Sequence, residues 1–220
     1  MSTRINVNPP ILQTPESGSC VLEAIRQQFA RPTGRTGAMV GHLMALKNDR
    51  MNRFAAEILD VQPTDQVLEI GFGHGRTIGR LAERAVHGYV AGVDLSDVMV
   101  RQAARRNLDQ ILAGRVELCR GSVADLPFEY GRFTKVLAVN NYQFWPNAEL
   151  NLTEVQRVMR EDALLVLCLR LHSPRKFSIP GFTHEQLEET VGLLRWVGFH
   201  NITIEQRRLD RDVACVMARR

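Results

Sequence analysis

Glu69, Gly71, Gly73 and Gly75 alternate as E-x-G-x-G-x-G, and Asp94 lies beyond them at the end of "YVAGVD". Glycines so spaced after an apolar run tolerate positive φ and let a ligand approach the backbone without Cβ obstruction. A helical pattern starts near Arg76 and Thr77, so its first amides favour an anionic group such as a carboxylate. An acid about 20 residues past such a turn can accept from both hydroxyls of a ribose. Leu95, next to it, offers an apolar surface to one face of a purine. Two common nucleotide turns do not fit. In the dinucleotide fingerprint G-x-G-x-x-G the third glycine would fall on Arg76 or Ile78, depending on register. A phosphate-cradling P-loop ends in Gly-Lys followed by Ser or Thr, and no lysine follows this turn.

The elements that must hold these residues alternate along the chain. Apolar runs predict strands at 66–71, 89–94, 116–120, 134–139 and 163–169, with helical patterns between them at 76–86, 96–113 and 148–160. The strands are continuously apolar, as expected where both faces are covered. Alternating β and α of this kind predicts a doubly wound α/β fold on a parallel sheet. After a helix at 183–196, the runs at 201–209 and 212–219 lie too close together for a crossover, so they are expected to pair as an antiparallel hairpin. The expected architecture is therefore a mostly parallel seven-stranded sheet ending in that hairpin, over residues 61–220. Residues 1–60 read as an irregular arm followed by a helical cap, with helices at 20–31 and 42–60 around the loop "RPTGRTG". That cap is expected to form a lid over the site, the alternative being a helical appendage that only covers a sheet face or edge.

Composition narrows the partners. The chain has 220 residues, 45% of them hydrophobic, enough for one globular domain with a full core. Its net charge of +4 comes from 25 Arg and 3 Lys, scattered along the chain without a basic tail. Arg101, Arg105 and Arg106 have the spacing of a solvated helix face, so nucleic acid is disfavoured as a partner. The apolar runs, "ALLVLCL" among them, are of strand length rather than membrane length. The N-terminus has no basic-then-apolar signal layout, and a cytoplasmic location is expected. Cys20, Cys119, Cys168 and Cys215 form no C-x-x-C pair. They are read as packing residues, with no metal site expected.

At this point the motifs resemble the class I S-adenosylmethionine-dependent methyltransferases. "VLEIGFGHGRT" is similar to that family's first motif, "GVDLS" to its acidic second-strand motif and "GSVADLPF" to its third-strand motif. "FTKVLAVNNYQFW" and "EVQRVMREDALLVLCL" resemble its fourth-strand region and the helix and strand that follow. The resemblance spans roughly residues 60–218 and implies S-adenosyl-L-methionine as cofactor. It places Glu69 and the loop Gly71, Phe72, Gly73 and Gly75 beside the methionine part, with Thr77 at the helix start. It places Asp94 on the ribose, Leu95 and Met99 against the adenosine, Ser122 and Val123 at the adenine edge, and Asn140 beside the cofactor. Two positions depart from the common pattern. Ser122 stands where an acid is frequent, although a hydroxyl can still accept a hydrogen bond. Thr134 stands where Asp is frequent, and Asp125 reads as a turn residue.

Methyl transfer from a sulfonium is a direct displacement, so the protein's tasks are alignment and water exclusion, with a general base only where the acceptor must lose a proton. The fourth-strand loop, with Asn140, Asn141, Tyr142, Phe144 and Trp145, lies at a carboxyl strand end where a small-molecule acceptor would sit. Tyr142 and His172 are the expected catalytic residues. His172 is preferred to His42 and His74 because it follows the fifth strand. The alternative functions are methylation of nucleic acid or protein, an NAD-dependent oxidoreductase, and an adenosyl-binding protein without turnover.

Overall fold

The computed structural model describes residues 48–172 and 181–220. The arm and the first part of the cap, with Cys20 and His42, lie outside the described residues, as does the loop 173–180. Helix α1 (48–59) leads into β1 (Gln66–Ile70), α2 (Arg76–Arg84), β2 (Tyr89–Asp94) and α3 (Asp97–Arg106). Then come α4 (Leu108–Leu112), β3 (Val116–Arg120), β4 (Phe133–Val139), a 3-10 turn (Tyr142–Phe144) and α5 (Ala148–Val158). Strand β5 (Met159–Arg170), α6 (His184–Val197), β6 (His200–Arg208) and β7 (Asp212–Arg219) complete the chain.

The seven strands form one sheet in the order β3-β2-β1-β4-β5-β7-β6. Strands β1 to β5 pair in parallel. β7 pairs antiparallel with both β5 and β6, which is the hairpin that the short link requires. Side chains alternate across the sheet and so divide the core into two layers. Val67, Val90, Leu137, Val166 and Cys168 pack on one face under α1, α2 and α3, against Phe54, Leu59, Ile78, Leu81 and Ala103. Leu68, Val93, Val136, Leu165, Leu167 and Val216 pack on the other face under α5 and α6, against Leu152, Val155, Leu187 and Leu194. Cys168 and Cys215 sit directly opposite each other on β5 and β7, fully buried. Their mutual hydrogen bond and burial push the Cys168 thiol well up.

Two predicted boundaries change. The helix expected over 96–113 breaks at Asn107, a buried residue whose side chain leaves the helical pattern to bind backbone carbonyls. The helix expected over 148–160 ends at Val158, and β5 starts at once with Met159 opposite Phe133. Pairing then shifts register before Lys135 meets Leu164, with Asp162 in the left-handed region at φ 58.

Thr134 explains its departure from the common acid. Its hydroxyl donates to Asp65 Oδ1 at 2.8 Å and accepts from Gln66 N at 3.0 Å, tying the foot of β4 to β1.

Helix α1 is fixed in two ways. Met51, Phe54, Ala55 and Leu59 form an apolar stripe on the sheet, and Asp49 forms ion pairs with Arg80 (2.7 Å), Arg76 (3.3 Å) and Arg53 (2.7 Å). Burial pulls the Asp49 carboxyl upward, but hydrogen bonds from Arg80, Arg76 and Arg53 outweigh it and hold the carboxyl at about 2. A carboxyl lowered on folding adds stability above its unfolded value and loses it as pH falls through the folded value. Asp49→Ala should therefore cost about 1 kcal/mol at neutral pH. In urea titrations the gap between the two proteins should close as pH is lowered from about 4 toward about 2.

Candidate active site

Strand order reverses between β1 and β4, because β2 and β3 lie on one side of β1 and β5 on the far side of β4. Right-handed crossovers then send α2 and α5 to opposite faces, and the chains leaving β1 and β4 diverge to open a crevice. A cavity of about 360 Å³ lies at that point. From β1 and its loop come Glu69, Gly71, Phe72, Gly73 and His74, and from the β2 end and α3 come Asp94, Leu95 and Met99. Ser122 and Val123 follow β3; Asn140, Asn141, Phe144, Trp145 and Pro146 follow β4; Asn48 and Asn52 come from α1.

Gly75 and Thr77 are the expected cofactor residues that do not line the cavity. Gly75 is the left-handed N-cap of α2 (φ 76), and a Cβ there would lie 2.8 Å from the Cα of Ala103. Asn107 closes this contact by donating from Nδ2 to Gly75 O (2.9 Å) and Ala103 O (2.8 Å). Gly75 thus lets α2 and α3 meet, and Asn107 braces the loop from behind. Thr77 is buried within α2.

Asp94 is 9% exposed, and each of its carboxylate oxygens accepts a backbone amide. Gly73 N donates to Oδ2 and Ser96 N to Oδ1, both at 2.9 Å. Burial raises its pKa against these two bonds. The remaining lone pairs are available to ribose hydroxyls. Gly73 has φ 56 and nothing within 4 Å of where a Cβ would be, so its backbone is open to close approach. Glu69 is 3% exposed, with Oε2 unpartnered. Burial, and then the nearby Asp94, raise its carboxyl well above the usual range, against the pull of Arg80. Asn141 donates from Nδ2 to Ile70 O and leaves Oδ1 buried without a partner. Two orphaned acceptors at one end of the cavity fit the ammonium of an amino-acid group. Exposed Leu95 provides the expected apolar surface beside Asp94.

The catalytic expectations fall elsewhere. Tyr142 is buried on the far side of its turn, its ring 5.1 Å from Trp145 and 6.1 Å from Phe182, with a hydrogen bond to Thr190. His172 is exposed and outside the cavity, its backbone amide donating to Phe182 O. Asn140 adopts φ 53 at the cavity wall, a conformation that asparagine tolerates better than most residues.

Several supporting residues had been given no role by the sequence. Glu154 accepts from Leu126 N, while Arg157 donates to the carbonyls of Leu126 and Phe128, so α5 clamps the loop that presents Ser122 and Val123. Asn48 and Asn52 had one visible signal, their i, i+4 spacing in a helical pattern. Because Asn107 satisfies two buried carbonyls, Asn107→Ala should destabilise the fold by about 2 kcal/mol, read as a lower urea midpoint. An unchanged midpoint would mean that the Gly75 contact does not depend on it.

A methyltransferase-domain family model matches residues 67–162. The uncharacterized methyltransferase YdaC of Bacillus subtilis is 24% identical over 184 residues, 83% of this chain and 98% of that protein. The fatty-acid O-methyltransferase of Mycolicibacterium smegmatis is 32% identical over 173 residues, 74% of this chain and 60% of that protein. A demethylmenaquinone methyltransferase of Lactiplantibacillus plantarum is 35% identical over 109 residues, 49% of this chain and 46% of that protein. In fold, a solved SAM-dependent methyltransferase from Aquifex aeolicus superposes with TM-score 0.65 at 17% identity, over 76% of this chain and 88% of that one. Motifs, sheet order and relatives agree that the chain belongs to the class I S-adenosylmethionine-dependent methyltransferases.

Proposed function

We propose that this methyltransferase acts on a small organic acceptor seated in the same cavity as the methyl donor. The observation that carries this reading is the continuity of the cavity. It runs from Glu69 and Asp94 at the ends of β1 and β2 to Phe144, Trp145 and Pro146 after β4, with Asn48 and Asn52 across from them. Relatives that methylate fatty acids and demethylmenaquinone support a small organic acceptor. The described lining includes no Lys or Arg, which a phosphodiester ligand would need.

When bound, S-adenosylmethionine supplies the electrophilic methyl group. The residues divide the remaining work. Asp94 fixes the ribose, with its own orientation set by Gly73 N and Ser96 N. Glu69 and Asn141 offer acceptors to the ammonium, and Leu95 and Met99 cover the adenosine. Phe144 and Trp145 exclude water from the acceptor end, where alignment of nucleophile and methyl provides most of the catalysis. On this reading Tyr142 supports the acceptor wall through its ring contact with Trp145.

Incubating the protein with methyl-labelled S-adenosylmethionine and a cell extract should put label into a small-molecule product that solvent extraction or chromatography separates from the donor. Label confined to protein or nucleic acid would overturn the small-molecule reading. Asp94→Asn replaces one amide-accepting oxygen by a donor, so calorimetric affinity for S-adenosylhomocysteine should fall by about tenfold or more. Unchanged affinity would remove Asp94 from the donor end.

A further inference from the structure

Two features of the acceptor end bear on what it admits. The first is charge. The carboxylates of Glu69 and Asp94 face the cavity, and no Lys or Arg is among its described lining residues. The cations nearest in sequence to the glycine loop, Arg76 and Arg80, are both engaged by Asp49. Among the described residues a buried anionic acceptor would find no Lys or Arg to pair with its charge.

The second feature is the wall opposite the strand ends. Asn48 and Asn52 lie one helical turn apart on the same face of α1, and both line the cavity. Each carboxamide donates and accepts, yet carries no charge. Phe144, 40% exposed, and Trp145, 9% exposed, line the same cavity and offer apolar ring surface to a ligand body.

Taking the small-molecule reading as given, we propose that Asn48 and Asn52 determine specificity. They hydrogen-bond an uncharged polar head on an acceptor whose apolar body lies against Phe144 and Trp145. Carboxylate acceptors of the same shape are discriminated against. The hydrogen bonds to Asn48 and Asn52 give the head its direction, and the rings give the body its affinity. Between the two acceptor chemistries of the named relatives, this places the site with ring-bearing neutral molecules rather than with free fatty acids.

The test uses the full chain saturated with S-adenosylhomocysteine. The chain has two tryptophans, and Trp196 is 77% exposed, away from the cavity. In a Trp196→Phe background, the emission of Trp145 reports occupancy of the acceptor end. Three matched probes are titrated at neutral pH: 1-octanol, octanoate and octylammonium. Octanol should bind about tenfold tighter than octanoate, the discrimination expected when a buried anionic head lacks a charge partner. Asn48→Leu/Asn52→Leu should weaken octanol binding about tenfold, leaving calorimetric affinity for S-adenosylhomocysteine unchanged. Asn52→Asp, of nearly equal size, should shift the preference to octylammonium.

Octanoate binding as tightly as octanol would overturn the proposal. So would no response to octanol by a protein that binds S-adenosylhomocysteine, or octanol affinity unchanged in the double variant. Absence of S-adenosylhomocysteine binding in the parent protein is a different result, because it strikes at the donor assignment itself.

Discussion

The parallel pairing of β1 with β2 on one edge and β4 on the other is the constraint on which the site depends. Because crossovers keep one hand, the helices after β1 and β4 leave toward opposite faces. None of the described chain fills the space directly above the two strand ends. Everything chemical gathers around that gap. The glycine loop closes it on one side and the Asn140–Asn141 pair on the other, with Asp94 and Ser122 reached by moving outward along the sheet. The hairpin of β6 and β7 lies at the far edge and takes no part in lining the cavity.

Carboxamides do much of the bracing. Asn107 joins the end of α3 to the start of α2, and Asn141 joins the β4 end to the last carbonyl of β1. Asn140 takes a backbone conformation that few other side chains adopt easily, at the turn between them. Such groups satisfy buried backbone atoms without introducing charge beside a cationic ligand. Charge is concentrated instead at Glu69 and Asp94, whose burial makes their carboxyls harder to ionise and gives a bound cation more to stabilise.

Much of this was legible in the residues. Continuous apolar runs marked the inner strands, and the short link between 209 and 212 required the hairpin. The E-x-G-x-G-x-G spacing with Asp94 pointed to the donor end, and the cavity gathers Glu69, Gly71, Gly73 and Asp94 together. What escaped has physical reasons. Gly75 resembles its neighbours in the motif, yet its freedom is used against Ala103, a contact made in three dimensions only. Asn107 sits inside a helical pattern, and only its buried carbonyl partners reveal why the helix stops there. Tyr142 and His172 follow strand ends, where cavity residues are common. Direction within a short turn is not written in spacing, and Tyr142 points into the core beneath α6. Asn48 and Asn52 look like any polar helix positions until α1 is laid on the sheet.

The position of α1 separates two kinds of heredity in this chain. The donor end is built from strand termini locked into the hydrogen-bond ladder, so a substitution there disturbs the sheet as well as the ligand. The α1 wall precedes β1, contributes no strand, and is attached by an apolar stripe and the Asp49 ion pairs. Its exposed-edge residues can be exchanged while the stripe and Asp49 stay in place. On the proposed reading, what is methylated can be changed through one helix without rebuilding the strand ends that hold the methyl donor.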